Sequence, residues 1–295
     1  MESKPLYFAC GSNLNETYLK EWCRKHGRAY PLGEKMANAY LPDARLVFNY
    51  FSPDHGGMLN IKYHAGHVVP GVLFNVVQGG WDVLDTRAKY EHQYKDIDII
   101  TLTEDGREHL AVAYQVAGMD TSGNFVKPYP GYIDIIREGF VMHGIDDALL
   151  KPISEGIIPP QMVDRLFVYG SLMSDGPRHY LFAEWADRFS KTSAVVSGSL
   201  YDSGAGFPCM IPDSTGRHAV SGELFILRDY KKSFERLDFM EMSDPVMRER
   251  FYFRRAIVRA TTSEGETFLA WTYVTDSSVE GMALIPSGDW RDVGK

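Results

Sequence analysis

Two short Gly-Ser segments have the composition of anion-binding loops. Residues 7–14 read YFACGSNL and residues 166–173 read LFVYGSLM, so each apolar run leads directly into Gly11-Ser12 or Gly170-Ser171. A glycine after a strand lets consecutive backbone N–H groups turn towards one point, which is a geometry suited to a carboxylate or an oxyanion. Both segments are therefore candidate binding loops.

The two segments belong to a longer internal repeat. Gly11 and Gly170 lie 159 residues apart, and residues 105–114 and 264–273 keep the same spacing. Each of the latter segments begins with an acidic residue and a glycine and ends in a tyrosine, Tyr114 or Tyr273. Agreement in register at both ends indicates a duplicated domain.

Other chemical motifs are incomplete. His64 and His67 have the spacing of metal ligands, but no Cys/His cluster completes a zinc site, so we assign both histidines to a turn and expect no metal. Neither Gly-Ser segment is the G-x-S-x-G elbow of a serine hydrolase. Residues 204–209, GAGFPC, break the dinucleotide-binding fingerprint at its third glycine.

Periodicity and turn residues predict the elements that position the two loops. In the first repeat, the predicted strands cover 6–10, 44–50, 71–77, 95–102 and 109–116. In the second repeat, one strand begins near 165 and the others cover 193–201, 220–227, 251–260 and 267–274. Predicted helices cover 15–26, 130–142, 177–188 and 230–239. Many strands with few helices, in no regular alternation, predict an α+β fold in which each repeat is a small mixed β-barrel with flanking helices.

The length of 295 residues allows two domains, each with its own core. We expect one domain at 1–155 and another at 165–278, a linker at about 151–160 between the repeats, and a C-terminal tail at 279–295.

Composition limits the partners and the compartment. A net charge of −8 argues against a nucleic-acid surface, and no apolar run is long enough to cross a bilayer. The first residues contain no secretory segment, and the three cysteines, Cys10, Cys23 and Cys209, are too few for a disulfide framework. We expect a cytoplasmic protein that acts on a small molecule, and its oligomeric state is left open.

Several motifs in order resemble the γ-glutamylcyclotransferase family. Residues 7–14 resemble its YFAYGSN opening, and residues 167–172 resemble the VYGTL opening of the γ-glutamylamine cyclotransferase (AIG2-like) branch. Residues 44–49, 56–61 and 71–74 resemble its second-strand signature and its GVLY strand, and residues 198–208 are similar to the branch's G-LYD-GGYP run. The resemblance covers nearly the whole chain and implies two tandem domains of this family.

The resemblance implies an intramolecular reaction, in which the α-amine of a γ-glutamyl group attacks its own γ-carbonyl and expels an amine. One carboxylic acid can move the protons if partial burial raises its pKa, and no metal or cofactor is needed. In the family this acid is the glutamate of an L-D-x-x-E run, which matches residues 237–241 and identifies Glu241. Its apolar neighbours Phe239, Met240 and Met242 would desolvate it.

The same resemblance assigns the substrate-binding residues. In the second repeat they are Tyr169, Gly170, Ser171 and Leu172, for the α-carboxylate and amine of the substrate. The corresponding first-repeat residues are Gly11, Ser12, Asn13 and Leu14. Tyr252 in the second repeat and Tyr94 in the first are expected either to line the pockets as hydrogen-bond donors or to be packing tyrosines of the core. Cys10 replaces the usual aromatic residue, which would widen the first pocket, and its size favours a structural role over a nucleophilic one.

The first repeat departs from the family pattern at the acid. Residues 84–88, LDTRA, place Ala88 where the glutamate should be, and Tyr94 then falls where the family keeps a tyrosine. Glu91 could substitute if residues 90–94, YEHQY, are read like the E-G-x-x-Y of shorter relatives. The first alignment predicts an inactive first repeat and the second an active one.

We therefore expect a cyclotransferase, of the carbon–nitrogen lyase or acyl-cyclising transferase type, that converts a γ-glutamyl amine or amino acid to 5-oxoproline and a free amine. One alternative is the removal or transfer of a γ-glutamyl group from a carrier-bound or sugar-like amine in a biosynthetic pathway. The other is a non-catalytic module that binds a γ-glutamyl or other carboxylate ligand, which Ala88 motivates for the first domain.

Overall fold

The computed structural model of the chain describes residues 5–90, 94–116, 124–187, 190–213, 215–243 and 253–293, and the side chains of 241–243 are not among the described parts. The chain divides into two units. The first unit comprises Met1–Thr101 and His109–Gln161, and the second comprises Leu102–Glu108 and Met162–Lys295. Among the described residues, no helix combines the length and apolar character that crossing a bilayer requires.

The first unit is a closed five-stranded barrel with helices on its outside. Its elements are β1 (Leu6–Ala9), α1 (Glu16–Lys25), β2 (Leu32–Ser52), β3 (Gly56–Val76), α2 (Gly80–Tyr90), β4 (Tyr94–Leu102), β5 (Glu108–Val116), α3 (Pro130–Met142) and α4 (Leu150–Ser154). The strands follow the order β1-β3-β2-β4-β5, and a parallel pairing of β1 with β5 closes the ring. Apolar side chains of β1 and β3 and of helices α1, α2 and α3 share one core.

The second unit repeats this plan. Its elements are β6 (Arg165–Val168), β7 (Thr192–Asp202), β8 (Pro208–Pro212), β9 (Ala219–Ile226), α5 (Tyr230–Ser243), β10 (Phe253–Thr262), β11 (Thr267–Thr275) and β12 (Ala283–Leu284). The order β10-β11-β6-β9-β7 closes through a pairing of β7 with β10, and β6 is parallel to β11. The predicted α+β fold of two small mixed barrels is confirmed.

The strand register supports a duplication. Leu6 of β1 lies opposite Ala111 of β5, and Arg165 of β6 lies opposite Ala270 of β11. Both residues of the second pair are 159 positions after those of the first, the spacing that separates the two Gly-Ser segments. The two parallel closures therefore use equivalent residues.

Several local predictions were wrong. The helix expected at 177–188 is a short 3-10 helix at His179–Leu181, because the chain then joins the second barrel through a bridge from Ala186 to Leu227. Helix α2 was not predicted, and the expected linker begins inside α4. The strands predicted at 44–50 and 71–77 are parts of a long β2–β3 hairpin. In the region expected to be a tail, β12 pairs with β7 and Ile285 joins the second core.

His64 and His67 lie in strand β3, so their assignment to a turn was wrong. Their ring centroids are 4.2 Å apart. His67 is buried, and this burial, together with the neighbouring His64 and Arg45, lowers its pKa to about 4. The imidazole is therefore neutral in the folded first unit at pH 7.

The stability of the first unit should fall as the pH is lowered from about 6.5 to about 4. In this window the unfolded chain binds a proton at His67 that the folded chain does not bind, so folding becomes less favourable by up to about 3 kcal/mol. The unfolding free energy, measured by urea denaturation at several pH values in this range, should fall less steeply with decreasing pH for His67→Phe than for the wild type. The exposed His218 provides a control, and His218→Gln should retain the wild-type slope. An unchanged slope in His67→Phe would assign the dependence to another group.

Candidate active site

A pocket of about 440 Å³ opens in the second unit, where the second Gly-Ser segment leaves strand β6. The predicted residues Tyr169, Gly170, Ser171 and Leu172 all line it. The remaining wall includes Arg178, Phe207, Pro208, Phe253 and Tyr273. The structure thus brings together four of the residues that sequence analysis assigned to substrate binding.

Gly170 is required by close packing. A Cβ atom at this position would lie 2.6 Å from Cγ of Pro208, well inside van der Waals contact. The backbone of Gly170 is not in the left-handed region, so its conformation alone would admit other residues. The loop then turns tightly, as the N–H of Met173 donates to the carbonyl of Gly170 at 2.9 Å. The first loop makes the equivalent hydrogen bond, from Leu14 to Gly11 at 3.0 Å.

A buried glutamate fastens the second loop to the barrel. Glu223 of β9 is 5% exposed, and its Oε2 and Oε1 accept hydrogen bonds from the N–H and the hydroxyl of Ser174 at 2.7 and 2.9 Å. Lys191 Nζ lies 3.7 Å from Oε1 of Glu223 and donates to the Ser174 hydroxyl at 3.2 Å. A buried carboxylate needs such donors, since an uncompensated charge is costly to desolvate. Glu223 therefore holds the loop that lines the pocket.

The first unit has a corresponding pocket of about 600 Å³. Of the predicted residues, Gly11, Ser12, Asn13 and Tyr94 line this pocket. The Tyr94 hydroxyl donates to the carbonyl of Leu59, so it braces the pocket wall. Leu14, in contrast, is fully buried in the core and supports the loop instead of facing the pocket.

Arg87 of α2 also lines the first pocket, and sequence analysis did not single it out. Its Nε donates to Oδ1 of Asn13 at 2.7 Å, and Nδ2 of Asn13 donates to the Tyr7 hydroxyl at 2.7 Å. The guanidinium is buried and lies 5.1 Å from the ring centroids of both Tyr18 and Trp22. Among the described residues that line this pocket, Arg87 is the charged one and none is acidic.

One hydrogen bond recurs in both repeats and relates their sequences. The Tyr114 hydroxyl donates to Oδ1 of Asp85 at 2.6 Å, and the Tyr273 hydroxyl donates to Oδ1 of Asp238 at 2.6 Å. Three residues after these aspartates, about one helical turn, come Ala88 and Glu241. The recurring bond favours the alignment in which Ala88 corresponds to Glu241, and Ala88 lines the first pocket.

Three predicted site positions cannot be compared in the same way. The Glu241 backbone belongs to α5, but its side chain lies outside the described parts of the structure. Tyr252 and Glu91 lie outside the described residues altogether, so the roles assigned to them stay predictions.

Comparison with known proteins places the chain in a family. A protein of Halalkalibacterium halodurans, named as a candidate γ-glutamylcyclotransferase, is 36% identical over 97 residues, which are 33% of this chain and 81% of the relative. The chain belongs to the γ-glutamylcyclotransferase family. Residues 166–292 also match the family model described as "Gamma-glutamyl cyclotransferase, AIG2-like".

Two solved structures are similar to parts or most of this chain. A structure described as a γ-glutamyl cyclotransferase is 27% identical with a TM-score of 0.41, over 52% of this chain and 88% of that one. The Bacillus subtilis protein YkqA is 14% identical with a TM-score of 0.33, over 94% of this chain and 85% of its own.

In this γ-glutamylcyclotransferase-family chain, two residues of the first pocket stay protonated at neutral pH. Burial raises the pKa of the Cys10 thiol to about 12, so the thiol stays protonated although the residue lines the first pocket. Burial, and then the hydrogen bond to Asp85, raise the pKa of the Tyr114 hydroxyl.

Among the described residues, no group of three His, Cys, Asp or Glu side chains could hold a metal ion.

Proposed function

We propose that the second domain converts a γ-glutamyl amine or γ-glutamyl amino acid to 5-oxoproline and the free amine, with Glu241 as the acid and base. The observation that supports this most directly is the pocket formed by the second Gly-Ser loop. This pocket lies in the unit whose helix α5 carries Glu241. The hydrogen bond from Tyr273 to Asp238 attaches the same helix to strand β11.

One carboxylate is sufficient for the proton transfers of the proposed reaction. The α-amine nitrogen of the substrate attacks its γ-carbonyl carbon, which forms the ring C–N bond, and Glu241 takes the proton that this nitrogen loses. The tetrahedral intermediate then breaks its bond to the leaving amine, which receives the same proton from Glu241. Because both reacting groups belong to one substrate, the pocket mainly has to select the rotamer that closes the ring.

The residues of the second pocket suit the acidic end of such a substrate. Arg178 is the charged member of the described lining, and its guanidinium can pair with the α-carboxylate in a bidentate manner. Ser171 and the backbone of the Gly-Ser turn add hydrogen-bonding groups beside it. Aromatic side chains, among them Phe207 and Phe253, form the apolar part of the wall.

Product analysis tests this proposal. The full chain would be incubated with γ-glutamyl amines, γ-glutamyl amino acids and γ-glutamylated aminosugars, and 5-oxoproline and the released amine would be quantified by mass spectrometry. Release from the small amines or amino acids supports the proposal. Release from the aminosugars alone would favour the biosynthetic alternative, and no release from any compound would contradict cyclotransferase activity.

We also propose a second function, in which the first domain binds a carboxylate ligand without converting it. Two observations favour this: Ala88 corresponds to the acid of the second repeat, and the buried Arg87 places a positive charge in the first pocket. The Gly11-Ser12 loop is retained there, so the parts that hold an anion remain.

Replacing Arg87 should weaken ligand binding to the first domain. In a Glu241→Gln background, which prevents turnover in the second domain, Arg87→Met should reduce the affinity of the first site for a γ-glutamyl ligand about ten- to hundredfold, because a charged hydrogen-bond donor is lost. Titration calorimetry would measure both sites. Lys89→Gln, an exposed substitution on the same helix, is the control. Equal affinities in both variants would contradict a role for Arg87, and Asn13→Ala tests the site without removing the buried cation.

We further propose functional domains at 1–155 and 165–278 with a C-terminal segment at 279–295, and a cytoplasmic setting. The division into two units with a boundary after Gln161 supports the two domains, and the three free cysteines support the cytoplasmic setting. Residues 156–295 would be expressed alone, which also removes Leu102–Glu108 of the second unit. Full activity of this segment would exclude a catalytic contribution from the first domain.

A further inference from the structure

The first unit contains another pocket, of about 440 Å³, on the long β2–β3 hairpin. Arg45, Asn49 and Lys62 contribute its polar side chains from the hairpin, and residues 124–125 and 156–157 complete the wall. It contains none of the Gly-Ser loop residues that line the candidate active sites. The proposed cyclotransferase reaction therefore makes no use of it.

Two positive charges lie directly opposite one another in this pocket. Arg45 of β2 and Lys62 of β3 are paired residues of the antiparallel ladder. Like charges at directly opposed positions destabilise a sheet. In the described part of the lining no acidic residue accompanies them. The two like charges repel each other, and an anion between them would be attracted to both.

Two residues of this lining also carry buried donors with no acceptor among the described residues. Nε of Arg45 and Nδ2 of Asn49 are both buried and have no hydrogen-bond partner in the described part of the chain. Oδ1 of Asn49 is already occupied, because it accepts from Nδ2 of Asn60 at 3.1 Å, so the free atom of this amide is a donor. Buried donors are nearly always satisfied in native proteins, and an unsatisfied one suggests a missing water or ion.

We infer that this pocket binds a phosphate group, held by Arg45, Lys62 and Asn49. Two cations can neutralise a dianion, and an arginine with additional donors matches the several acceptor oxygens of a phosphate better than the two of a carboxylate.

Binding at this site would restrict a side chain of the first candidate active-site pocket. Asn49 lines the phosphate pocket, and Asn60 lines the first candidate active-site pocket, which contains Gly11 and Ser12. The hydrogen bond between the two asparagine side chains connects the two pockets. Oδ1 of Asn60 in turn accepts from the N–H groups of Ile61 and Val116. An anion that fixes the Asn49 amide would therefore fix Asn60 as well.

Titration calorimetry of the full chain at constant ionic strength tests this inference. Inorganic phosphate and glycerol 3-phosphate would be the ligands, and acetate the comparison. We expect one phosphate site per chain and binding of acetate at least about tenfold weaker. Tighter binding of glycerol 3-phosphate would identify a monoester site, and equal binding a site for the free ion. Binding of neither phosphate compound, or binding of acetate as tight as that of phosphate, would overturn the inference.

Charge-removing variants separate specific binding from misfolding. Arg45→Gln and Lys62→Gln should each weaken phosphate binding about ten- to hundredfold. Without phosphate, both variants should melt at or above the wild-type temperature, because the repulsion across the hairpin has been removed. Arg28→Gln, at an exposed position of the same unit, should bind phosphate like the wild type. Unchanged affinity in both pocket variants would overturn the assignment of these residues.

Discussion

Glu241→Gln is expected to lower the kcat/KM for 5-oxoproline release by about a thousandfold. The amide has the shape of the carboxylate but can neither take the proton of the attacking amine nor return it to the leaving group, and general acid–base catalysis contributes on the order of 10²–10⁴-fold. Substrate binding should change little, since the pocket formed by the Gly-Ser loop is untouched. The loss should therefore appear in kcat, measured by following 5-oxoproline over time.

A matched control is available on the same helix. Glu235 is an exposed residue of α5 that forms a surface ion pair with Lys231 at 3.8 Å, an interaction that contributes little to stability. Glu235→Gln should keep wild-type kcat and KM. If Glu241→Gln retained its activity, the reaction would have to be sought in the first domain. The double variant Glu241→Gln/Glu91→Gln would then show whether Glu91 supplies the acid.

The fold was predictable because its evidence is local or repeated. Alternating apolar residues mark the strands, and the spacing of 159 residues between Gly11 and Gly170 also relates the strand pairs that close the two barrels. The incorrect helix at 177–188 reflects tertiary contacts that no local pattern contains, since the bridge from Ala186 to Leu227 directs this segment along the barrel.

The Gly-Ser loops of the candidate sites could be predicted from the sequence. The side chains that contact these loops from distant parts of the chain could not. Arg87 contacts Asn13, which is 74 residues away in the sequence, and Glu223 contacts Ser174, which is 49 residues away. Neither pair forms a motif. The tyrosines Tyr114 and Tyr273 were visible as part of the repeat, but their aspartate partners became evident only from the hydrogen bonds.

Glu223→Ala is expected to raise the KM for a γ-glutamyl substrate about ten- to hundredfold. The substitution removes the carboxylate that accepts both Ser174 hydrogen bonds, so the loop that lines the second pocket loses its attachment to β9. The unsatisfied donors should also cost about 1–3 kcal/mol of unfolding free energy. Because α5 carries the proposed acid and is held separately by the bond from Tyr273 to Asp238, kcat should fall much less than KM rises.

Two further variants distinguish loop positioning from a general loss of stability. Glu223→Gln keeps the shape and an acceptor oxygen, so it should recover most of the affinity even if the protein remains less stable than the wild type. Glu264→Ala, at an exposed turn position, should leave KM unchanged. A variant pair in which KM follows the melting temperature would mean that Glu223 acts only on stability. A recovered KM in Glu223→Gln at reduced stability would show that this residue positions the substrate-binding loop.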